Sequence, residues 1–310
     1  MTHRPKAAVV GSCNADLTVY TEKVPVNGET VSGTRLVIGP GGKGSNQATA
    51  LSRAGAETSI ICRMGCDSLA SVLEAHYASE GISACAVIRD SASQTGSATI
   101  IVDELTGDNR IVVVPGANGD LCPADVEAHS DLIASCDILL LQLESPIEAS
   151  IYAARLARKS GAKVILNPAP AKEIPAELIS LCNYIIPNET EAETLTGIAI
   201  HSAEDAFRAG KALIALGAEN AIITLGKAGC AAVTPDEEFT VPAFSVKAVD
   251  TTAAGDQFCG AFAAELALGA GLMQALKFAT AASAVSVTRA GASVSMASRE
   301  EIEEFISKNK

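Results

Sequence analysis

Short apolar runs recur along the chain, separated by longer stretches that carry an apolar stripe. The runs are Ala7–Val10, Thr58–Cys62, Ile138–Leu143, Lys163–Leu166, Tyr184–Ile186 and Ala221–Thr224. The intervening stretches include Asp67–Glu80, where Leu69, Val72, Leu73 and His76 share one helical face, and Pro123–Ala134, Ile147–Ser160 and Ala203–Leu216. The runs are apolar at nearly every position instead of alternating, so both faces of their sheet must be covered. That pattern predicts an α/β fold, a doubly wound and mostly parallel sheet with helices on both sides. The long Ala-rich stretch Ala261–Val287 is interrupted by Glu265 and Lys277 and reads as two packed helices, not a membrane span.

Two regions break this alternation. Residues 17–38 hold two extended runs, Leu17–Tyr20 and Thr30–Ile38, joined by a turn at Pro25, Asn27 and Gly28. Residues 96–114 read as a hairpin, Ser97–Val102 and Arg110–Val114 around Thr106-Gly107-Asp108-Asn109. Neither region supplies a helix. The expected arrangement is a core of residues 1–14, 45–94 and 118–310, with 15–44 and 95–117 forming a small β-sheet lid over the sheet edge. A lid is a common means of excluding water from a reacting group.

In an open α/β sheet the ligand crevice lies beyond the carboxyl ends of the strands. Polar residues gather there: Asn14 and Asp16 after the first run, Gln142 and Glu144 after the third, Asn167 after the fourth, Asn188 and Glu191 after the fifth, and Thr224 to Gly229 after the sixth. Each alone could be a helix cap. Recurring in phase at one end of the sheet, they point to a site.

Two glycine-rich segments add chemistry. Gly39-Pro40-Gly41-Gly42-Lys43-Gly44-Ser45-Asn46 contains a formal G-x-G-x-x-G. A dinucleotide site would need an acid closing the next strand, and Arg63 stands there instead. A P-loop would need Ser or Thr after the lysine, and Gly44 follows Lys43. What remains is a loop whose backbone can approach a ligand closely, with Lys43 and Asn46 as donors for a hydroxyl-rich substrate. In the second, Asp250-Thr251-Thr252-Ala253-Ala254-Gly255-Asp256, small residues precede an apolar helix. Backbone N–H groups at such a helix start can hold a phosphoryl group, and Asp256 in its first turn could accept a hydroxyl proton. The plainer reading of Asp256 is a complement to the helix dipole.

Composition narrows the partners. With 23 Lys+Arg against 36 Asp+Glu, the net charge is −13, which argues against nucleic acid and against an anionic membrane. The chain begins with only four apolar residues after Met1–Lys6, too few for a secretory signal, and its nine cysteines have no C-x-x-C spacing. A reducing cytoplasmic location is expected. No histidine has a partner suggesting catalysis.

On Gly41-Gly42-Lys43-Gly44-Ser45-Asn46 and Asp250-Thr251…Ala254-Gly255-Asp256-Gln257-Phe258-Cys259-Gly260, the sequence resembles the ribokinase family of sugar kinases, also called the phosphofructokinase-B family. The likeness runs from Gly11 to the C-terminus. It implies ATP-dependent phosphorylation of D-ribose at O5, with a deoxyribose or nucleoside kinase as the alternative. Asp256 then matches the catalytic base, and Ala253, Ala254 and Gly255 match the anion hole. Asn14, Asp16, Gly42, Lys43, Asn46 and Glu144 match the sugar contacts. Asn188 and Glu191 match the element that organises Mg²⁺ on ATP, through water. Thr224, Gly226, Lys227, Gly229, Gly255 and Thr280 match nucleotide contacts. Asp250, Thr252, Ser286, Arg289, Gly291 and Ser295 match residues around an activating K⁺. The lid implies a homodimer. Gln257 and Cys259 stand where the family usually has Thr and Asn, and Cys259, three residues from Asp256, is a candidate for oxidation.

Overall fold

The structure is a computed structural model and describes residues 4–309. Its strands, in chain order, are β1 (Lys6–Val10), β2 (Asn14–Thr21), β3 (Arg35–Gly41), β4 (Glu57–Gly65), β5 (Ser83–Asp90), β6 (Gly96–Asp103), β7 (Asn109–Val114), β8 (Ile138–Leu141), β9 (Lys163–Leu166), β10 (Tyr184–Ile185), β11 (Asn220–Thr224), β12 (Cys230–Val233) and β13 (Glu238–Val241). The helices are α1 (Lys43–Arg53), α2 (Ser68–Glu80), α3 (Pro123–Glu127), α4 (Ser130–Ala134), α5 (Ile147–Ser160), α6 (Ala176–Ser180), α7 (Glu189–Thr196), α8 (Ala203–Ala215), α9 (Ala254–Ala267), α10 (Leu272–Ser286) and α11 (Arg299–Lys308).

The strands form two sheets. The larger runs β13-β12-β11-β10-β9-β8-β1-β4-β5. Every pairing from β11 through β5 is parallel, and only β12 and β13 add an antiparallel edge. Alternate residues of its strands supply two separate cores. Val9, Ile60, Ile138 and Leu140 face α1, α2, α9, α10 and α11. Val10, Ile61, Leu139 and Leu141 face α5 and α8 and the shorter helices on that side. This is why the runs lack alternation in sequence.

The smaller sheet runs β3-β2-β6-β7. Its central strands β2 and β6 come from the two excursions and pair in parallel, while β3 and β7 flank them antiparallel. Most expected elements are present, with four differences. Pro123–Ala134 is two short helices, because the chain reverses at Ala128–His129. Residues 30–34 are not strand, and pairing begins at Arg35. β5, β12 and β13 were not expected: β5 carries Ser83, Arg89 and Asp90 at its ends, and β12–β13 is a short hairpin of four-residue strands. His76 is half-buried at the edge of its helix, bonded to Thr49 at 2.8 Å.

The Ala-rich stretch forms α9 and α10, packed along each other as expected. α9 also packs directly on α1. A Cβ on Gly260 would lie 2.4 Å from the Ala50 Cβ and 2.9 Å from the backbone at Gln47 and Leu51. Nothing but hydrogen fits there. Phe262, two residues further along α9, is fully buried and meets Tyr184 edge to face at 5.2 Å between ring centres.

Gly260→Ala is therefore expected to cost about 1–3 kcal/mol through overpacking. Phe262→Ala is expected to cost about 3–5 kcal/mol through the cavity it leaves. Urea denaturation checks both; an unchanged midpoint for Gly260→Ala would mean that the two helices have room to spare.

Candidate active site

The site sits at the carboxyl ends of the large sheet, where α1 and α9 begin. α1 starts at Lys43 behind Gly42, whose φ of 86° lies in the left-handed region. No Gly42 side chain can cap this helix, and the cap comes from elsewhere. Glu144 Oε2 accepts from the Lys43 backbone N–H at 2.9 Å and from Ser12 Oγ at 2.6 Å. Ser12 in turn takes the Ser45 N–H on its carbonyl, at 2.9 Å. Gly44 permits this, since a Cβ there would lie 2.6 Å from the Ser12 carbonyl oxygen. Glu144 is thus partly a structural carboxylate at a helix N-terminus, a role its position after a strand did not reveal.

β2 leaves β1 after only three residues and carries Asn14 and Asp16, two apart and so on one face. Their partners across the ladder are Gly41 and Gly39. A Cβ on Gly41 would lie 2.2 Å from the Asp16 carboxylate, so Asp16 packs against the glycine loop itself. Asn14 is held by Asn118, whose Nδ2 donates to Asn14 Oδ1 at 2.7 Å, while Asn118 also bonds both backbone groups of Cys13.

α9 begins at Ala253, the one non-glycine residue with positive φ (58°) among the described residues. That conformation costs a side chain roughly 1–2 kcal/mol, and alanine is the smallest that can bear it. Alanine also cannot cap: no side chain bonds the first N–H groups of α9. They border a cavity of about 230 Å³ lined by Lys43, Asn167, Asn188, Glu191, Thr224, Thr251, Ala253, Ala254, Gly255, Asp256 and Cys259, with Ala169 and Ile186. The Ala254 N–H also donates to the Thr251 carbonyl at 3.2 Å, and with no side-chain partner the donors at this helix N-terminus beside a polar cavity form a candidate anion site.

Asp256, in the first turn, is 4% exposed. Its Oδ2 accepts from Asn46 Nδ2 at 3.1 Å and its Oδ1 from Gln47 Nε2 at 3.0 Å. Burial raises its pKa, and Lys43 and these two amides oppose the rise. Lys43 is held charged chiefly by Asp256, against the pull of burial, with help from Glu144 and Glu191. Among the described residues its ammonium makes no ion pair within 4.0 Å, which leaves its donors to the cavity it lines.

The remaining residues divide. Asn188 and Glu191 form a reciprocal capping box for α7: Asn188 Oδ1 takes the Glu191 N–H and the Glu191 carboxylate takes both nitrogens of Asn188. Thr224 reaches the cavity beside Asn188, with which it forms a parallel bridge. Gly226, Lys227 and Gly229 form the exposed turn after β11, outside the cavity lining, with Gly229 pressed on the Val241 carbonyl. Thr280 is buried on α10 and its hydroxyl donates to the Leu276 carbonyl at 2.7 Å, so it has no donor left for a neighbouring ligand.

Asp250, Thr252 and Gly291 form one bonded set and Ser286 and Ser295 a second, linked through the backbone by the Asp250 N–H donating to the Val287 carbonyl at 3.2 Å. Asp250 Oδ1 accepts from the Thr252 N–H and hydroxyl, Oδ2 from the Gly291 N–H at 2.8 Å, and the Ser286 and Ser295 hydroxyls lie 3.0 Å apart. Arg289 turns its guanidinium to Glu301 and can offer this group only its carbonyl.

Cys259 lines the cavity but is 1% exposed, and burial with Asp256 nearby pushes its thiol well above the usual range. A thiol held protonated is a poor target for oxidants, so the expected redox sensitivity is not supported. Ser12, Gln47, Asn118 and Ser293 were missed and carry no motif, though Ser12 falls at a strand end; Gln142 was seen only as a polar residue after its strand.

The whole chain can be placed among known proteins. Residues 4–299 match the model of the pfkB family carbohydrate kinases, and the chain belongs to that family. It is 40% identical over 303 residues to a ribokinase from Haemophilus influenzae, covering 98% of this chain and 99% of that protein. It is 36% identical over 303 residues to a deoxyribokinase from Salmonella typhi, covering 97% and 99%. The solved structure of Arabidopsis thaliana ribokinase complexed with ribose and ATP superposes with a TM-score of 0.92 at 31% identity, covering 98% of this chain and 99% of that one.

Asp16 yields a pH prediction. Burial, then Glu144, then Asp256 raise its pKa to about 7. Asp16 is protonated below that value, and if it accepts sugar hydroxyls, as the family resemblance implies, sugar binding to the ionised form then releases a proton. Carbohydrate affinity is expected to weaken as pH falls below about 7, and Asp16→Asn to abolish that limb. Calorimetric titration in buffers of different ionisation enthalpy measures the released proton; no proton release at pH 6 in the parent would refute it.

Proposed function

We propose that this chain transfers the γ-phosphoryl group of ATP to O5 of D-ribose, giving ribose 5-phosphate and ADP. The observation that carries the reading is Asp256. In a pfkB-family chain it is a buried carboxylate whose oxygens are held by Asn46 and Gln47, one helical turn from uncapped N–H groups at the same cavity. Asp256 takes the hydroxyl proton, and the N–H groups of Ala253, Ala254 and Gly255 receive the charge developing on the transferring phosphoryl.

Asn14, Asp16, Gly42, Lys43, Asn46 and Glu144 hold the sugar. Acceptors and donors alternate among them, which suits several adjacent hydroxyls and penalises an analogue lacking one. Thr224, the Gly226–Gly229 turn with Lys227, and Thr280 flank the nucleotide. The Asn188–Glu191 pair fits Mg²⁺ only through water, because its direct bonds are mutual; when bound, the ion neutralises phosphate charge. The oxygen-rich group at Asp250, Thr252, Ser286, Arg289, Gly291 and Ser295 fits K⁺, a cation that takes oxygen ligands and little charge.

Residues 15–44 and 95–117 act as lid and clasp of a homodimer. Leu36, Ile38 and Ile111 to Val114 expose apolar surface on the small sheet, which supports a partner there. All nine cysteines are free thiols, in keeping with a reducing cytoplasm. Among the described residues no helix is long and apolar enough to cross a membrane.

Asp256→Asn is expected to lower kcat by roughly 10²–10⁴-fold. ADP release should favour ribose over 2-deoxyribose, fructose and adenosine, and rise with K⁺. Equal efficiency on 2-deoxyribose would reassign the acceptor, a reading kept alive by the 36% identity to a deoxyribokinase. Near-full turnover of Asp256→Asn would remove the mechanism.

A further inference from the structure

We infer that Gln47 is a positioning residue for Asp256, held in place by a row of side-chain amides across the carboxyl edge of the large sheet. The inference rests on Asp256 being the base.

Gln47 is fully buried on α1 and does not line the cavity. Its Nε2 donates to two acceptors, Asp256 Oδ1 at 3.0 Å and Asn167 Oδ1 at 3.2 Å. Its Oε1 accepts from Gln142 Nε2 at 2.7 Å. Asn167 Nδ2 closes the row on the Ile186 carbonyl at 2.9 Å. The row thus runs from Gln142 beyond β8, through Gln47, to Asn167 beyond β9 and the backbone beyond β10.

The direction of these bonds matters. An amide can present either its oxygen or its nitrogen, and an oxygen turned toward Asp256 would repel the ionised form. Asn167, whose Nδ2 is committed to the Ile186 carbonyl, turns its oxygen to Gln47, and Gln142 donates to Gln47 Oε1, so the nitrogen of Gln47 faces Asp256; Gln142 Oε1 itself has no partner among the described residues. Gln142 is itself seated because Gly11 has no side chain: a Cβ there would lie 2.0 Å from Gln142 Oε1. On the other carboxylate oxygen, Ser293 Oγ donates to Asn46 Oδ1 at 2.6 Å and fixes the Asn46 amide in the same sense.

Asp256 must be ionised to act, yet burial opposes ionisation. Lys43 offsets this with a charge that the cavity also needs for substrate. The Gln47 donor offsets it without occupying the cavity, and it fixes which lone pair of Asp256 remains for the substrate hydroxyl.

The test is Gln47→Met, which keeps length and removes the donor. We expect kcat to fall about 10–100-fold, the scale of one hydrogen bond to a charged group. The acid limb of the kcat–pH profile should move up by about one unit, while the KM for ribose changes less than about threefold. Gln142→Met, which leaves Gln47 but frees its amide to turn, should shift the same limb by less. The double variant Gln47→Met with Asp256→Asn should be no slower than Asp256→Asn alone. If Asp256→Asn is inactive while Gln47→Met and Gln142→Met keep the parent kcat and pH limb, or if Gln47→Met slows the Asp256→Asn enzyme further, the positioning role is wrong and the base assignment stands. If Asp256→Asn turns over normally, the base assignment falls and this inference falls with it.

Discussion

The close approach of α1 to α9 is the contact on which the site depends. Gly260 lets the two helices touch backbone to backbone, and Gly44 lets the start of α1 sit directly on the chain leaving β1. With those two side chains absent, the Asn46 and Gln47 amides reach Asp256 across the seam, and the N-terminus of α1 lies within reach of Ser12 and Glu144. Any spacing wider by a methyl group would leave a buried carboxylate without its donors, and a buried charge without partners costs far more than the packing of one methyl group contributes. Packing and chemistry are therefore one constraint here: the glycines that tighten the core also complete the solvation of the carboxylate.

The electrostatics follow from that geometry. Three carboxylates, Asp16, Glu144 and Asp256, act on one another, and two of them, Asp256 and Glu144, act with Glu191 on the one ammonium, Lys43. Each is treated differently. Glu144 is tied to the backbone N–H at the start of α1. Asp256 has two amide donors, yet its burial still raises its pKa. Asp16 has no such donor among the described residues, so burial and its two acidic neighbours bring it to about 7. A site with unequal carboxylates can give them unequal tasks, one accepting a proton and another recognising hydroxyls. Lys43 remains charged in their combined field and unpaired, which suits a donor meant for a neutral, hydroxylated ligand.

Much of this was legible in the chain itself. The parallel sheet followed from runs apolar on every residue, and the two-sheet division followed from two stretches with no helical period. The ligand edge followed from polar residues recurring after successive strands. What stayed hidden has a common physical cause. β12 is built from small residues and β13 is only four residues long, and β5 is a partly exposed edge strand whose apolar centre, Ala84–Ile88, is flanked by Ser83 and by Arg89 and Asp90. Gln47 and Ser293 act through partners 95 or more residues away, at Gln142, Asn167 and Asp256 and at Asn46. No spacing within either segment encodes those meetings. Asn188 and Glu191 show the converse: their local spacing is fully explained as a capping box, so the motif by itself could not separate a helix start from a site.

The net charge of −13 also takes on a more exact meaning. An acidic surface repels polyanions in bulk, but over the Debye length of about 8 Å at physiological salt it says little about a recessed cavity. Inside that cavity the positive potential comes from the uncapped start of α9 and from Lys43, and neither is visible to a count of surface charge. The same acidic shell leaves a neutral sugar unaffected. Local backbone geometry can thus set a positive patch inside an acidic shell, and the left-handed turn at Ala253, which starts α9 beside the cavity, is where the fold bears the conformational cost of that placement.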